Sequence, residues 1–181
     1  MVQHLKFLSL LVGIFATATV FFSSCDRGEK GNQEELITTL KLTFSRSGQA
    51  DKVFAFRDTD GAGGNPPVID EIQLTPNATY TVKVEVLNES VVPAEDITEE
   101  ILAEKDAHLF IYTVSGANVT FATTDTDSKG KPVGLNATAV TSAASTGSLT
   151  LTLKHEADKS ATEPLSTGET DVEAKFVVKI Q

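Results

Sequence analysis

The sequence predicts an all-β protein: an antiparallel, immunoglobulin-like β-sandwich of about eight or nine strands with one short inserted helix. Two observations carry this reading. Apolar and polar residues alternate through nine short runs, the period of a strand with one face in a core and the other in water. Gly, Asn, Asp and Pro separate the runs, as turns between antiparallel strands require.

The first 24 residues stand apart from that body. Met1 to Lys6 is short and carries one Lys, Phe7 to Phe22 is apolar apart from small residues and hydroxyls, and Ser23 and Ser24 are small. That is the order of a secretory signal peptide (residues 1–24). The apolar run is about 16 residues, shorter than the roughly 20 a spanning helix needs. The lone cysteine, Cys25, follows directly. A single Cys in an exported chain has no internal disulfide partner, and Phe22-Ser23-Ser24-Cys25 is similar to a loose lipobox. Cys25 is therefore expected to carry lipid and to hold the mature chain at a membrane. Residues 25–34, with Asp26 to Glu34 lacking any apolar side chain, read as a flexible tether, and residues 35–181 as the domain.

Within the domain, "LITTLKLTF" puts Leu36, Leu40, Leu42 and Phe44 on one face and Thr39, Lys41 and Thr43 on the other. After Ser45-Arg46-Ser47-Gly48, "KVFAFRD" places Phe54 and Phe56 inward, and the two runs read as a hairpin. "VIDEIQL" (Val68 to Leu74) is a weaker strand. "TYTVKVEVL" is a strong one, with Tyr80, Val82, Val84 and Val86 toward the core. "HLFIYTV" and "NVTFATT" flank Ser115-Gly116-Ala117. "LNATAVT", "SLTLTLKH" and "VEAKFVVKI" complete the set, the last burying Val172, Ala174, Phe176, Val178 and Ile180. One segment breaks the period. "PAEDITEEILAEKDAH" (Pro93 to His108) has Ile97, Ile101 and Leu102 at helical spacing, with acids in its first turn, and predicts a helix of about three turns at most.

The net charge is -10, and the only Lys or Arg before Cys25 is Lys6, so the mature part is one unit more acidic. Such a surface argues against nucleic acid and against charge-driven binding to anionic lipid, and it attracts cations. Asp58 and Asp60 in "RDTDGAGGNPP", and Asp125 and Asp127 in "TDTDSKGKP", offer Asp-x-Asp pairs of the sort that bind calcium. Neither completes an EF-hand loop: from Asp58 the fifth and twelfth places are Ala62 and Ile69, and from Asp125 they are Lys129 and Asn136. Asp and Gly also favour turns for conformational reasons alone. Glu100, Glu104 and His108 are spaced four apart and share one face if the helix runs that far, a carboxylate and imidazole set suited to a transition metal. His155, with Glu156, joins them only if the fold brings the strand ends together. Among enzyme signatures, Gly-x-Ser-x-Gly, His-Glu-x-x-His and a phosphate-binding loop before a helix are all missing, and catalysis is not expected.

"EELITTLKLTF", "FRDTDGAGGNPPVIDEIQL", "YTVKVEVLNESVVPAEDITEEILAEKDAHLFIY" and "GETDVEAKFVVKI" resemble a family of small Bacteroidota lipoproteins that often carry a type 1 periplasmic-binding label. The resemblance implies an outer-membrane location and transfers no catalytic residues. A type 1 periplasmic-binding protein has two lobes of alternating strands and helices and needs roughly twice the length of one domain; one helix among many alternating strands predicts a sandwich instead. The expected function is a lipid-anchored binding or accessory protein of the cell envelope, serving an outer-membrane uptake system through a protein partner. The alternative is a module for calcium, a transition metal or a small ligand.

Overall fold

The structure, a computed structural model, describes residues 36–61 and 63–181. The expected signal peptide, the expected lipid attachment at Cys25 and the expected tether over 25–34 lie outside the described residues.

Among the described residues, eleven strands and one α-helix follow in the order β1 (Thr39–Ser45), β2 (Lys52–Arg57), β3 (Val68–Ile69), β4 (Ile72–Leu74), β5 (Thr79–Asn88), β6 (Glu95–Asp96), α1 (Thr98–Ala103), β7 (His108–Ser115), β8 (Val119–Thr123), β9 (Asn136–Thr141), β10 (Ser145–His155) and β11 (Glu169–Ile180). One sheet runs β3-β2-β1-β5-β9-β8, with β6 also paired to β5, and the other runs β4-β11-β10-β7. The fold is the expected all-β sandwich. Tyr80, Val82, Val84 and Val86 of β5, Leu149, Leu151 and Leu153 of β10, and Ala174, Phe176 and Val178 of β11 are all buried in the core between the sheets. Alternation in sequence thus becomes a shared apolar interior, because every second side chain of a strand points to the same side.

Differences from the expectation have local causes. "VIDEIQL" is two strands in two sheets, since Asp70 turns its carboxylate back to accept the Ala55 N–H (2.8 Å) while Ile72 and Leu74 cross to pair with β11. That β4–β11 pair is parallel, the one departure from an antiparallel pattern among the described strands. Leu36 is exposed, because β1 begins only at Thr39. In its place Thr38 and Thr39 are buried, their hydroxyls donating to the Leu87 carbonyl (3.3 Å) and to Glu89 Oε2 (2.6 Å).

The helix is shorter than three turns. Glu95 and Asp96 pair with β5 as a strand, and the Ile97 N–H donates to the Val86 carbonyl, so helix starts only at Thr98. Glu104 is its C-cap, with φ -102, and the Ala107 N–H closes a turn onto the Glu104 carbonyl at 2.9 Å. Ile97 and Ile101 are buried, and Leu102 faces out. Among the described residues no helix is long and apolar enough to cross a membrane.

Candidate metal centre

The ends of β7, β10 and β11 meet on one side of the smaller sheet. In β10, Leu149, Leu151 and Leu153 point into the core, so His155, two residues on, continues the inward row. His155 pairs directly with His108 at the start of β7, two residues before the buried Phe110. Direct cross-strand partners put their side chains side by side. The two imidazoles stack at 4.9 Å between ring centroids, with 26° between their planes.

Glu104 reaches this pair from the end of α1. One ligand atom from each of Glu104, His108 and His155 lies within 4.8 Å of the others, with Glu104 exposed, His108 buried and His155 between. Two ligand atoms on one tetrahedral zinc lie roughly 3.4 Å apart, as bond lengths near 2.0–2.1 Å require. To share an ion, these atoms would have to close by up to roughly 1.4 Å.

The backbone prepares His108 for such a role. Its Nδ1 lies 3.2 Å from the Glu104 carbonyl oxygen. A carbonyl only accepts, so Nδ1 carries the proton and Nε2 keeps its lone pair, the arrangement found in metal-binding histidines. Burial holds the imidazole below its ordinary pKa; the bond to the Glu104 carbonyl pulls the other way, and the neighbouring His155 adds to the depression. The neutral ring, which is the form that donates an electron pair, is thereby favoured.

The predicted set is thus corrected in one member. Glu100 stays outside the group, because the helix stops at Ala103 and the four-residue spacing no longer describes one face. His155, which sequence spacing places 47 positions from His108, is brought in by strand register. Glu156 is not part of the group: its N–H donates to the Ala107 carbonyl at 2.7 Å, with φ at 52°.

In the aspartate loops, Asp60, Asp125 and Asp127 accept hydrogen bonds from the chain itself. Asp60 Oδ2 accepts the Asn65 N–H (2.9 Å) and the Asn65 side-chain amide (2.6 Å), which, the backbone bond first, lower its pKa. Its carboxylate lies over Gly64, where a Cβ would come within 2.6 Å of Oδ2. Asp58 Oδ1 is buried and has no hydrogen-bond partner among the described residues. Both line an open cavity of about 370 Å³ with Arg57 and Asn65. Asp60 is thus committed to a turn, and calcium would need several further oxygens beside these two carboxylates. Asp125 accepts the Gly134 and Asn136 N–H groups (2.9 and 3.2 Å). Asp127 accepts those of Lys129 and Lys131 (2.9 and 2.8 Å) and pairs with Lys159.

One nearby residue escaped sequence reasoning. Strict alternation back from Val172 turns Asp171 outward. In the structure Leu153 pairs with Val172 and Lys154 with Thr170, so Asp171 is the extra residue of a β-bulge. Its Oδ2 is buried and lies 4.0 Å from His108 Nε2. A bulge shows only in the pairing of two strands, so no local signal marks it.

The fold and this cluster define a β-sandwich with a histidine and carboxylate site at one end of its smaller sheet. No protein family, curated protein or solved structure matches the chain.

Proposed function

We propose that this chain is an exported, lipid-anchored binding module that holds a divalent transition-metal ion, zinc or copper, through Glu104, His108 and His155. The observation that carries the metal is the direct pairing of His108 with His155, with Glu104 alongside. Two imidazoles and a carboxylate form a donor set suited to zinc and copper and poor for calcium, which prefers oxygen. Support for export and anchoring comes from the order Lys6, apolar run, Ser23-Ser24-Cys25, and from the resemblance to small Bacteroidota lipoproteins. An envelope protein partner, in an outer-membrane uptake system, would deliver or receive the ion. Catalysis forms no part of the proposal.

Titration calorimetry on the full chain tests the metal. Zinc or copper is expected to bind one ion per chain, calcium not to bind, and His155→Ala to abolish the heat. Absence of heat from zinc and copper alike overturns the reading. Mass spectrometry of the membrane-extracted protein tests the anchor: an unmodified Cys25 thiol refutes it.

A further inference from the structure

Three protein ligands leave a zinc or copper ion an open position, the arrangement of catalytic centres. We propose that Asp171 fills it, so that the ion is held by two imidazoles and two carboxylates, a closed site built for holding and handing on an ion. This rests on the metal reading above and goes further by naming the fourth ligand.

The first support is placement. The bulge at Leu153 and Lys154 frees Asp171 from alternation. Thr170 stays on the outer face, where its hydroxyl accepts from Lys154 Nζ at 2.9 Å, while Asp171 Oδ2 is buried beside His108. Bulges re-aim side chains and are enriched next to functional sites.

The second is chemistry. With the Nδ1 proton of His108 turned to the Glu104 carbonyl, Nε2 and Asp171 Oδ2 are two electron-pair donors facing each other at 4.0 Å. That is too long for a hydrogen bond. Two ligand atoms on one four-coordinate zinc lie roughly 3.4 Å apart, so this pair has to close by only about 0.6 Å, within the reach of side-chain rotation, to share an ion.

The third is charge. Neutral imidazoles and the Glu104 carboxylate leave a divalent ion with one uncompensated positive charge. His108 is 4% exposed, and a net charge at that depth is costly. The Asp171 carboxylate makes the occupied site neutral.

Cobalt(II) replaces zinc and reports its own coordination through its visible absorption, so the test titrates cobalt and zinc into the full chain, Asp171→Asn and Asp171→His. The wild type is expected to give the intense visible band of four-coordinate cobalt. Asp171→Asn should weaken zinc binding by more than about tenfold, the least that losing even a supporting neighbour of a ligand costs, and should change the band. Asp171→His, which supplies another donor, should recover affinity with a shifted band. Circular dichroism verifies that both variants fold, and should one not fold, the other decides. Unchanged affinity and band in the variants overturn the fourth ligand and leave the three-ligand reading standing. A wild type that binds neither ion removes both.

Discussion

At the scale of single residues, the most consequential polar contact away from the proposed metal site is Lys159 with Asp127. Nζ and Oδ2 are 3.1 Å apart, and the side chains are 5% and 2% exposed. Lys159 also donates to the Lys105 carbonyl at 2.7 Å, so one ammonium joins the turn after α1 to the loops on either side of β9 and β10. Burial alone pushes the Asp127 carboxyl up, but the Lys131 N–H, the Lys159 ammonium and the Lys129 N–H outweigh it and hold the pKa at about 2. A carboxyl whose folded pKa lies below its model value of 3.8 binds fewer protons folded than unfolded. Its stabilising contribution is therefore complete above 3.8 and is lost as pH falls through about 2. Denaturant titrations at stepped pH should show that acid-dependent loss in the wild type and a smaller one in Asp127→Asn. Breaking a buried pair strands a charge, whereas exposed pairs contribute little. Lys159→Ala should thus lower the melting temperature clearly more than Lys129→Ala, whose 4.0 Å pair with Asp106 is solvent-exposed. Equal shifts would show that the buried pair has no special weight.

At the scale of elements, the hairpin of β10 and β11 positions two of the four proposed ligands, and its looped end depends on Gly168. Gly168 has φ 61, and a Cβ there would collide with the His155 carbonyl and approach the Ala157 nitrogen at 2.6 Å. Gly48 has φ 76 but no atom within 4 Å of the same position. Backbone strain alone costs about 1 kcal/mol, so Gly168→Ala should destabilise the protein by more than Gly48→Ala and should also weaken zinc binding without removing a ligand. Urea melts and zinc titrations of both variants check this; equal effects would mean that the hairpin end adapts freely. The same hairpin shows how much could be foreseen. Leu149, Leu151, Leu153, Phe176 and Val178 announce their faces by period two, because burial is recorded residue by residue. Pairing is not recorded that way. The meeting of His108 with His155 depends on register across distant strands, and the inward turn of Asp171 on one extra residue. Glu100 misled for the complementary reason: four-residue spacing assumes a helix continuing to His108, and the pairing of β6 with β5 and the turn at Glu104 shorten it from both ends.

At the scale of the whole molecule, a site made from the ends of β7, β10 and β11 and the turn after α1 exists only in the folded chain, so an ion bound there stabilises the fold by mass action. At a free concentration a hundred times its dissociation constant the gain is about 2.7 kcal/mol. For a domain of this size each kcal/mol raises the melting temperature by about 2–4 °C, so saturating zinc should raise it by about 5–10 °C. The chain carries a net charge of -10, and any divalent cation relieves self-repulsion in so acidic a protein. That diffuse effect follows ionic strength and is indifferent to the identity of the ion. Melting curves in zinc, magnesium and calcium at constant ionic strength separate the two contributions. A bound ion predicts a shift with zinc that persists in 0.5 M salt and disappears in His108→Ala. Equal shifts from all three cations, fading together as salt is added, would assign the stabilisation to surface charge and leave the histidine pair as packing between strand ends.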